Sequence, residues 1–98
     1  MYMPQYLILA NDYTDADALT RRLAVRQAHL DRMGVTKAEG GFVIAGAKLN
    51  EEGKMIGSMI VINAENEEAA REWAQNDPYL KGKVWETVDI QPFRVANV

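Results

Sequence analysis

The stretch GGFVIAGAKLNEEGKMIGSMIVINA, residues 40–64, decides the fold. Residues 40–49 (GGFVIAGAKL) and 55–64 (MIGSMIVINA) are two strand-like apolar runs. The segment between them, NEEGK (50–54), is short, polar and contains glycine, which reads as a hairpin. Upstream, QYLILA (5–10) is a further apolar run with the length of a buried strand. DYTDAD (12–17) then offers a helix start. Thr14 with Asp17 three residues on fits a capping box, and acidic side chains sit at the positive end of the helix dipole.

The spacing predicts a helix over residues 15–33, with Leu19, Leu23, Leu30 and Met33 as its apolar stripe and Gly34 as its stop. Downstream, ENEEAAREWAQND (65–77) reads as a second helix, with Asn66 as cap and Glu67 and Glu68 in its first turn. KVWETVDIQPF (83–93) reads as the last strand, with Pro92 near its end, where a missing donor is tolerated. The order β-α-β-β-α-β is the ferredoxin-like α+β arrangement in one domain, residues 1–98: a four-stranded antiparallel sheet with two helices on one face.

Two helices cover only one face of such a sheet. Yet the strands are apolar at both parities: Ile8, Phe42, Ile44, Ile56, Ile60 and Ile62 in one set, Leu7, Leu9, Val43, Met59 and Val61 in the other. A half-solvated sheet alternates apolar with polar residues, and an uncovered apolar face invites association. A homodimer packed through the open sheet faces is therefore expected.

Composition narrows the function. Apolar residues make up 48% of the chain and charged ones 26%, so it reads as globular. Eleven basic residues against fourteen acidic ones, a net charge of −3, provide no dense basic face for nucleic acid. The absence of cysteine excludes disulfides and thiolate chemistry and fits a reducing compartment. The start MYMPQYLILAND has neither the basic region of a signal peptide nor an apolar run long enough for an anchor. A cytoplasmic protein without membrane partners is expected.

At about 100° per residue, Arg22, Arg26, His29 and Met33 fall on one line beside the leucine stripe. Arg26 lies near the centre of that stripe, an odd place for a permanent charge unless an anion meets it or its head reaches back to water. On the second helix Ala70, Trp73 and Ala74 form the apolar stripe, and Asp77 occupies the next core-facing slot. Asp77 also reads as the N-cap of a further turn begun by Pro78. If the two helices lie side by side, His29 and Asp77 meet near their ends. An aspartate on one imidazole nitrogen sets the tautomer and leaves the other nitrogen as a base.

The segment RRLAVRQAHLDRM, with Arg22, Arg26 and His29, resembles the YciI-like (YCII-related) proteins, as do Ala45-Gly46, Gly57-Ser58, Asp77-Pro78-Tyr79 and the IQPF ending. The likeness runs over nearly the whole chain. It implies a ferredoxin-like fold in a dimeric α+β barrel and an active site built on a His–Asp pair, here His29 and Asp77. It implies that Arg26 and Ser58 border the same pocket. A dehalogenating elimination of a hydroxylated chloroaromatic belongs to one branch, and related barrels include muconolactone isomerases. This points to proton-transfer lyase or isomerase chemistry without cofactor or metal. Ala47 stands where many relatives carry proline after the Ala-Gly, and YLKGKVW (79–85) is more basic than usual.

Two functional readings follow. In the first, the chain is an enzyme acting on a small cyclic or aromatic anionic molecule. His29 is the acid/base, Asp77 orients it, Arg26 and Arg22 neutralise charge, and Ser58 and Tyr79 shape the site. In the second, the same dimer binds a small anion without turnover. A purely structural His29–Asp77 contact is the third possibility. Ser58 lacks a G-x-S-x-G elbow and is no hydrolase nucleophile. One histidine without cysteine makes a poor zinc set.

Overall fold

Every second side chain of β1 (Gln5–Asp12) is buried: Tyr6, Ile8, Ala10 and Asp12. That alternation turns one face of the strand toward the helices and the other, with Leu7 and Leu9, toward the open side. In the computed structural model, which describes residues 3–98, β1 occupies an inner position of the sheet. It pairs antiparallel with β3 (Met55–Asn63) and with β4 (Trp85–Phe93). The strand β2 (Phe42–Leu49) adds to the far edge of β3, giving the order β2-β3-β1-β4. Between the strands run α1 (Ala18–Ala38), α2 (Glu67–Gln75) and the four-residue α3 (Pro78–Lys81). The expected ferredoxin-like βαββαβ order is present, with α3 as an addition before β4.

Cross-strand partners share a face. Ser58 opposes Ala10, Ile60 opposes Ile8 and Ile62 opposes Tyr6. These meet Met33 of α1, Ala70 and Ala74 of α2, Tyr79 of α3 and Trp85 to form the core. Asn66 caps α2 as expected, its side chain accepting from the Ala69 N–H at 2.8 Å.

The first helix departs from its sequence reading in three ways. Its buried side carries Ala18, Arg22, His29, Met33 and Thr36. Of the leucines read as its stripe, Leu23 is 55% and Leu30 40% exposed. Hydropathy periodicity misses this rotation because the buried polar residues are compensated by partners on other elements, not by their own apolarity. The helix also passes Gly34 and continues to Ala38. Thr36 is buried on the same side, donating to the Arg32 carbonyl at 2.9 Å and accepting from Trp73 Nε1 at 3.2 Å. The glycine that ends it is Gly40, at φ 82°, a left-handed position suited to glycine. At the other end, Asp17 stands at the N-cap without a side-chain cap bond, so Thr14 and Asp17 form no capping box.

The open face also differs in detail. A bulge after Phe42 places Ile44 opposite Val61, and so with Leu7, Leu9 and Met59 rather than with the core isoleucines. On β4 the same face carries Gln91 opposite Leu7 and Asp89 opposite Leu9. The apolar surface thus covers β1, β2 and β3 and ends at a polar β4. A Cβ on Gly57 would stand 2.5 Å from the Ala10 carbonyl oxygen and 2.5 Å from Lys48 Cε. Glycine there lets Lys48 cross β3 and donate to Asn11 Oδ1. No helix among the described residues is long and apolar enough to cross a membrane.

The start of α1 is tied down electrostatically. Arg21 grips both Asp15 oxygens at 2.8 Å and donates through Nε to the Lys83 carbonyl at 3.0 Å. The guanidinium lowers the Asp15 carboxyl from 3.8 to about 2. Because the folded value lies below the unfolded one, this contribution is present above pH 3.8 and is lost as pH falls toward 2. A carboxyl-carbon NMR titration should place the Asp15 midpoint near 2, and Arg21→Gln should move it back toward 3.8. An unchanged midpoint in the variant would contradict the pairing.

Candidate active site

Asp77 sits where α2 ends and α3 begins, and both sequence readings of it hold. It continues the Ala70–Trp73–Ala74 side of α2, and it is the N-cap of α3, with Pro78 in the first turn. Its extended backbone (φ −73°, ψ 137°) lets Oδ1 accept from the Tyr79 N–H at 2.9 Å. The carboxylate is fully buried, so its remaining lone pairs need donors. His29 Nδ1 lies 2.8 Å from Oδ1 and 3.1 Å from Oδ2, and Arg32 Nη1 donates to Oδ2 at 3.2 Å. Arg32 is itself held by the Trp73 carbonyl at 2.7 Å and lies over the Trp73 ring, 4.4 Å from its centroid.

A carboxylate only accepts, so a neutral imidazole meeting ionised Asp77 through Nδ1 carries its hydrogen there and leaves Nε2 as the acceptor. The Tyr79 ring stacks on the imidazole at 4.0 Å between centroids with 17° between planes. Trp85 meets it edge-on at 6.2 Å. The two residues after Asp77 therefore supply both the cap geometry and the stacking partner that orient His29.

A second buried network lies beside the first. Arg22 Nη1 donates to both Asp12 oxygens at 2.9 and 2.8 Å, and Arg22 Nη2 donates to Ser58 Oγ at 2.9 Å. Trp85 Nε1 donates to the same Oγ at 3.1 Å. Arg22 also lies over the Tyr79 ring, its Cζ 4.5 Å from the centroid. The Arg22 Nε–H is buried and has no acceptor among the described residues. Burial pushes the Asp12 carboxyl above its ordinary range, while Arg22 draws it part of the way back. Burial likewise raises the Tyr79 phenol, against the pull of Arg22 and Arg26.

Between α1 and the β2–β3 half of the sheet lies a cavity of about 220 Å³. Arg22, Arg26, His29, Ser58 and Tyr79 line it, with apolar walls from Leu30, Met33, Phe42, Met55 and Ile60 and small residues at Ala45, Gly46 and Ala47. His29 Nε2 has no hydrogen-bond partner among the described residues. Asp77 stands behind His29 and does not line the cavity. Arg26 is exposed and makes no ion pair among the described residues. Arg22, read from the sequence as lying beside the leucine stripe, is the buried arginine.

Sequence reasoning missed Asp12 and Arg32. Asp12 had a readable signal, because it continues the core parity of Tyr6, Ile8 and Ala10 and so puts a carboxylate where an apolar side chain belongs. Arg32 had none, since only the end of α2 reveals what it faces. Among the described residues, no three His, Cys, Asp or Glu side chains converge as a metal set would require.

A four-stranded βαββαβ sheet with a paired histidine beside a small cavity places the chain in the ferredoxin-like class. The family follows from comparison: the YCII-related domain matches residues 5–94, and the chain belongs to that family. Protein YciI of Escherichia coli O6:H1 is 39% identical over 95 residues, covering 91% of this chain and 95% of that protein. Among solved structures, the 5-chloro-2-hydroxyhydroquinone dehydrochlorinase TftG of Burkholderia phenoliruptrix, in complex with 2,5-dihydroxybenzoquinone, superposes with a TM-score of 0.79. It is 22% identical, covering 94% of this chain and 95% of that one. A dimeric ferredoxin-like protein from an uncultured marine organism superposes at 0.55 and 11% identity, covering 99% and 92%. At these identities the structural likeness shows the fold alone.

Removing one partner of a buried ion pair strands the other charge. Asp12→Ala should cost about 3 kcal/mol or more in urea unfolding, and adding Arg22→Met should restore most of the loss. A loss below ~1 kcal/mol, the range of an exposed pair, would show that the pair is not structural.

Proposed function

We propose that this protein is a cofactor-independent acid/base enzyme, a lyase or isomerase, acting on a small cyclic or aromatic anion. The observation that carries this reading is His29, held through Nδ1 by a fully buried Asp77 while its ring lines a cavity. A base with one nitrogen committed has the other in a defined state, which general base catalysis requires. The cavity volume supports the substrate size, since ~150 Å³ of apolar space holds benzene. About 220 Å³ therefore admits one substituted ring. Arg26, in the cavity lining and without an ion pair among the described residues, supplies attraction for an anion. In this scheme His29 takes a proton from the ring and returns it to carbon or to a leaving group. Asp77 stabilises the imidazolium, and Arg26 offsets the negative charge that develops. The dehydrochlorinase named for TftG is chemistry of this type.

The protein acts as a homodimer joined through the open sheet faces. Leu7, Leu9, Ile44 and Met59 offer the apolar surface, and a related fold described as dimeric supports the arrangement. A chain without cysteine suits a reducing compartment such as the cytoplasm. The alternative is a binding protein with the same pocket and no turnover, which the free guanidinium of Arg26 equally favours.

The test uses 2,5-dihydroxybenzoquinone, whose ring hydrogens exchange with deuterium oxide through protonation at carbon. The protein should accelerate that exchange as read by proton NMR, and His29→Ala should slow it by ~100-fold or more. Asp77→Asn should also slow it without abolishing binding. Binding with no acceleration would favour the non-catalytic reading, and equal rates in wild type and His29→Ala would overturn the role of His29.

A further inference from the structure

The hydroxyl of Ser58 has a forced direction. A serine oxygen has two lone pairs and one hydrogen. Both lone pairs are engaged, one by Arg22 Nη2 at 2.9 Å and the other by Trp85 Nε1 at 3.1 Å. Ser58 is 2% exposed, and no acceptor among the described residues takes its hydrogen. The one group it has left to offer is a donor, and the residue lines the cavity. The two donors behind it polarise the hydroxyl further, because one is a guanidinium and charge-assisted bonds are the stronger kind. That guanidinium is fixed by both oxygens of Asp12 and does not swing away. Its own Nε–H, also buried, is a second donor with no acceptor among the described residues.

The geometry points to Ser58 as an oxyanion donor whose chemistry selects the ligand: a ring compound whose phenol or enol oxygen becomes anionic when His29 takes a proton. This rests on the reading of His29 as a base. The cavity holds two side-chain groups of opposite and fixed polarity, the acceptor Nε2 of His29 and the donor Oγ–H of Ser58. A ligand that yields a proton to Nε2 and is left with negative charge on an oxygen satisfies both. A simple carboxylate is already ionised and gives His29 nothing to remove. A neutral alcohol gains no charge for Ser58 to stabilise. As the proton passes to Nε2, the electron pair it leaves behind settles on the ligand oxygen, which accepts the Ser58 hydrogen. The imidazolium formed remains balanced by Asp77. Tyr79, with its phenol raised by burial, stays neutral and does not compete for the proton.

Arg22, Asp12 and Trp85 are then positioning residues that act through Ser58. This accounts for a buried ion pair under the cavity, which an apolar pair of similar volume would replace at no cost to stability.

The experiment follows the ionisation of 4-nitrophenol, whose phenolate absorbs at longer wavelength than its phenol. Bound to the wild type, its ionisation constant should rise about tenfold over the free value. Ser58→Ala should remove most of that rise while the probe still binds, the remainder coming from Arg26, and Ser58→Thr, which keeps the hydroxyl, should retain it in full. Trp85→Phe frees one lone pair without removing the hydroxyl and should give a smaller rise, which serves if Ser58→Ala does not fold. Repeating the Ser58 comparison in a His29→Gln background separates the two claims. There the Ser58 effect should persist although deuterium exchange is lost. If it persists while exchange also survives, the reading of His29 fails and the oxyanion donor stands. A rise that Ser58→Ala leaves intact, preferential binding of the neutral phenol, or no binding of the probe to the wild type would each overturn the proposal.

Discussion

A fully buried carboxylate with no chain charge beside it in sequence is untenable without donors, and Asp77 sets the conditions for everything around it. It draws His29 and Arg32 from α1 and the Tyr79 N–H from α3. Three elements are thereby joined at one atom group. The same contacts settle which side of α1 faces inward, because a helix whose His29 must reach Asp77 cannot also bury Leu23 and Leu30. The cavity is a consequence. With α1 rotated to serve a polar partner, the β2 side of the sheet is left with small residues, Ala45 and Ala47, and with unfilled space.

Beneath the helices, the layer nearest the cavity is polar where a domain of this size would gain most from being apolar. Asp12, Arg22, Ser58, His29 and Asp77 are all nearly or wholly buried. The charges are compensated, with Arg22 Nη1 on both Asp12 oxygens, two donors on Ser58 and three on Asp77, while the Arg22 Nε–H and the Ser58 hydrogen find no acceptor among the described residues. Such a network fixes side chains at the expense of stability that packed hydrocarbon would supply. The aromatic residues Tyr79 and Trp85 bridge the two networks, Tyr79 stacking on His29, Trp85 meeting it edge-on, and the two meeting one another edge-on at 5.8 Å.

The order of elements along the chain and the hairpin at residues 50–54 were legible in the sequence because they depend on local pattern, namely short apolar runs broken by turn residues. The cap of α2 at Asn66 was legible for the same reason. The two possible roles of Asp77 were visible from spacing, and both are realised. The rotation of α1 was not legible. Leu19, Leu23 and Leu30 form a better apolar stripe than Arg22, His29 and Thr36, and only partners 10 to 48 residues away reverse that preference. The end of α1 was misplaced at Gly34 because a glycine inside a helix and a glycine ending one look alike until Thr36 is seen bonded to Arg32 and Trp73. The bulge that carries Ile44 to the open face likewise leaves no mark in a strand that is apolar at both parities. Ser58 was seen as a position bordering the pocket, but the direction of its hydroxyl depends on Arg22 and Trp85 arriving from opposite ends of the chain.

The central claim is that Asp77 holds His29 in a single tautomer. Nitrogen NMR of the imidazole in its neutral form tests this directly, since a protonated and a bare ring nitrogen resonate far apart. The account predicts hydrogen on Nδ1 and a bare Nε2 in the wild type, with that preference lost in Asp77→Ala. A wild-type imidazole protonated on Nε2, or a tautomer balance that the loss of Asp77 leaves unchanged, would contradict it.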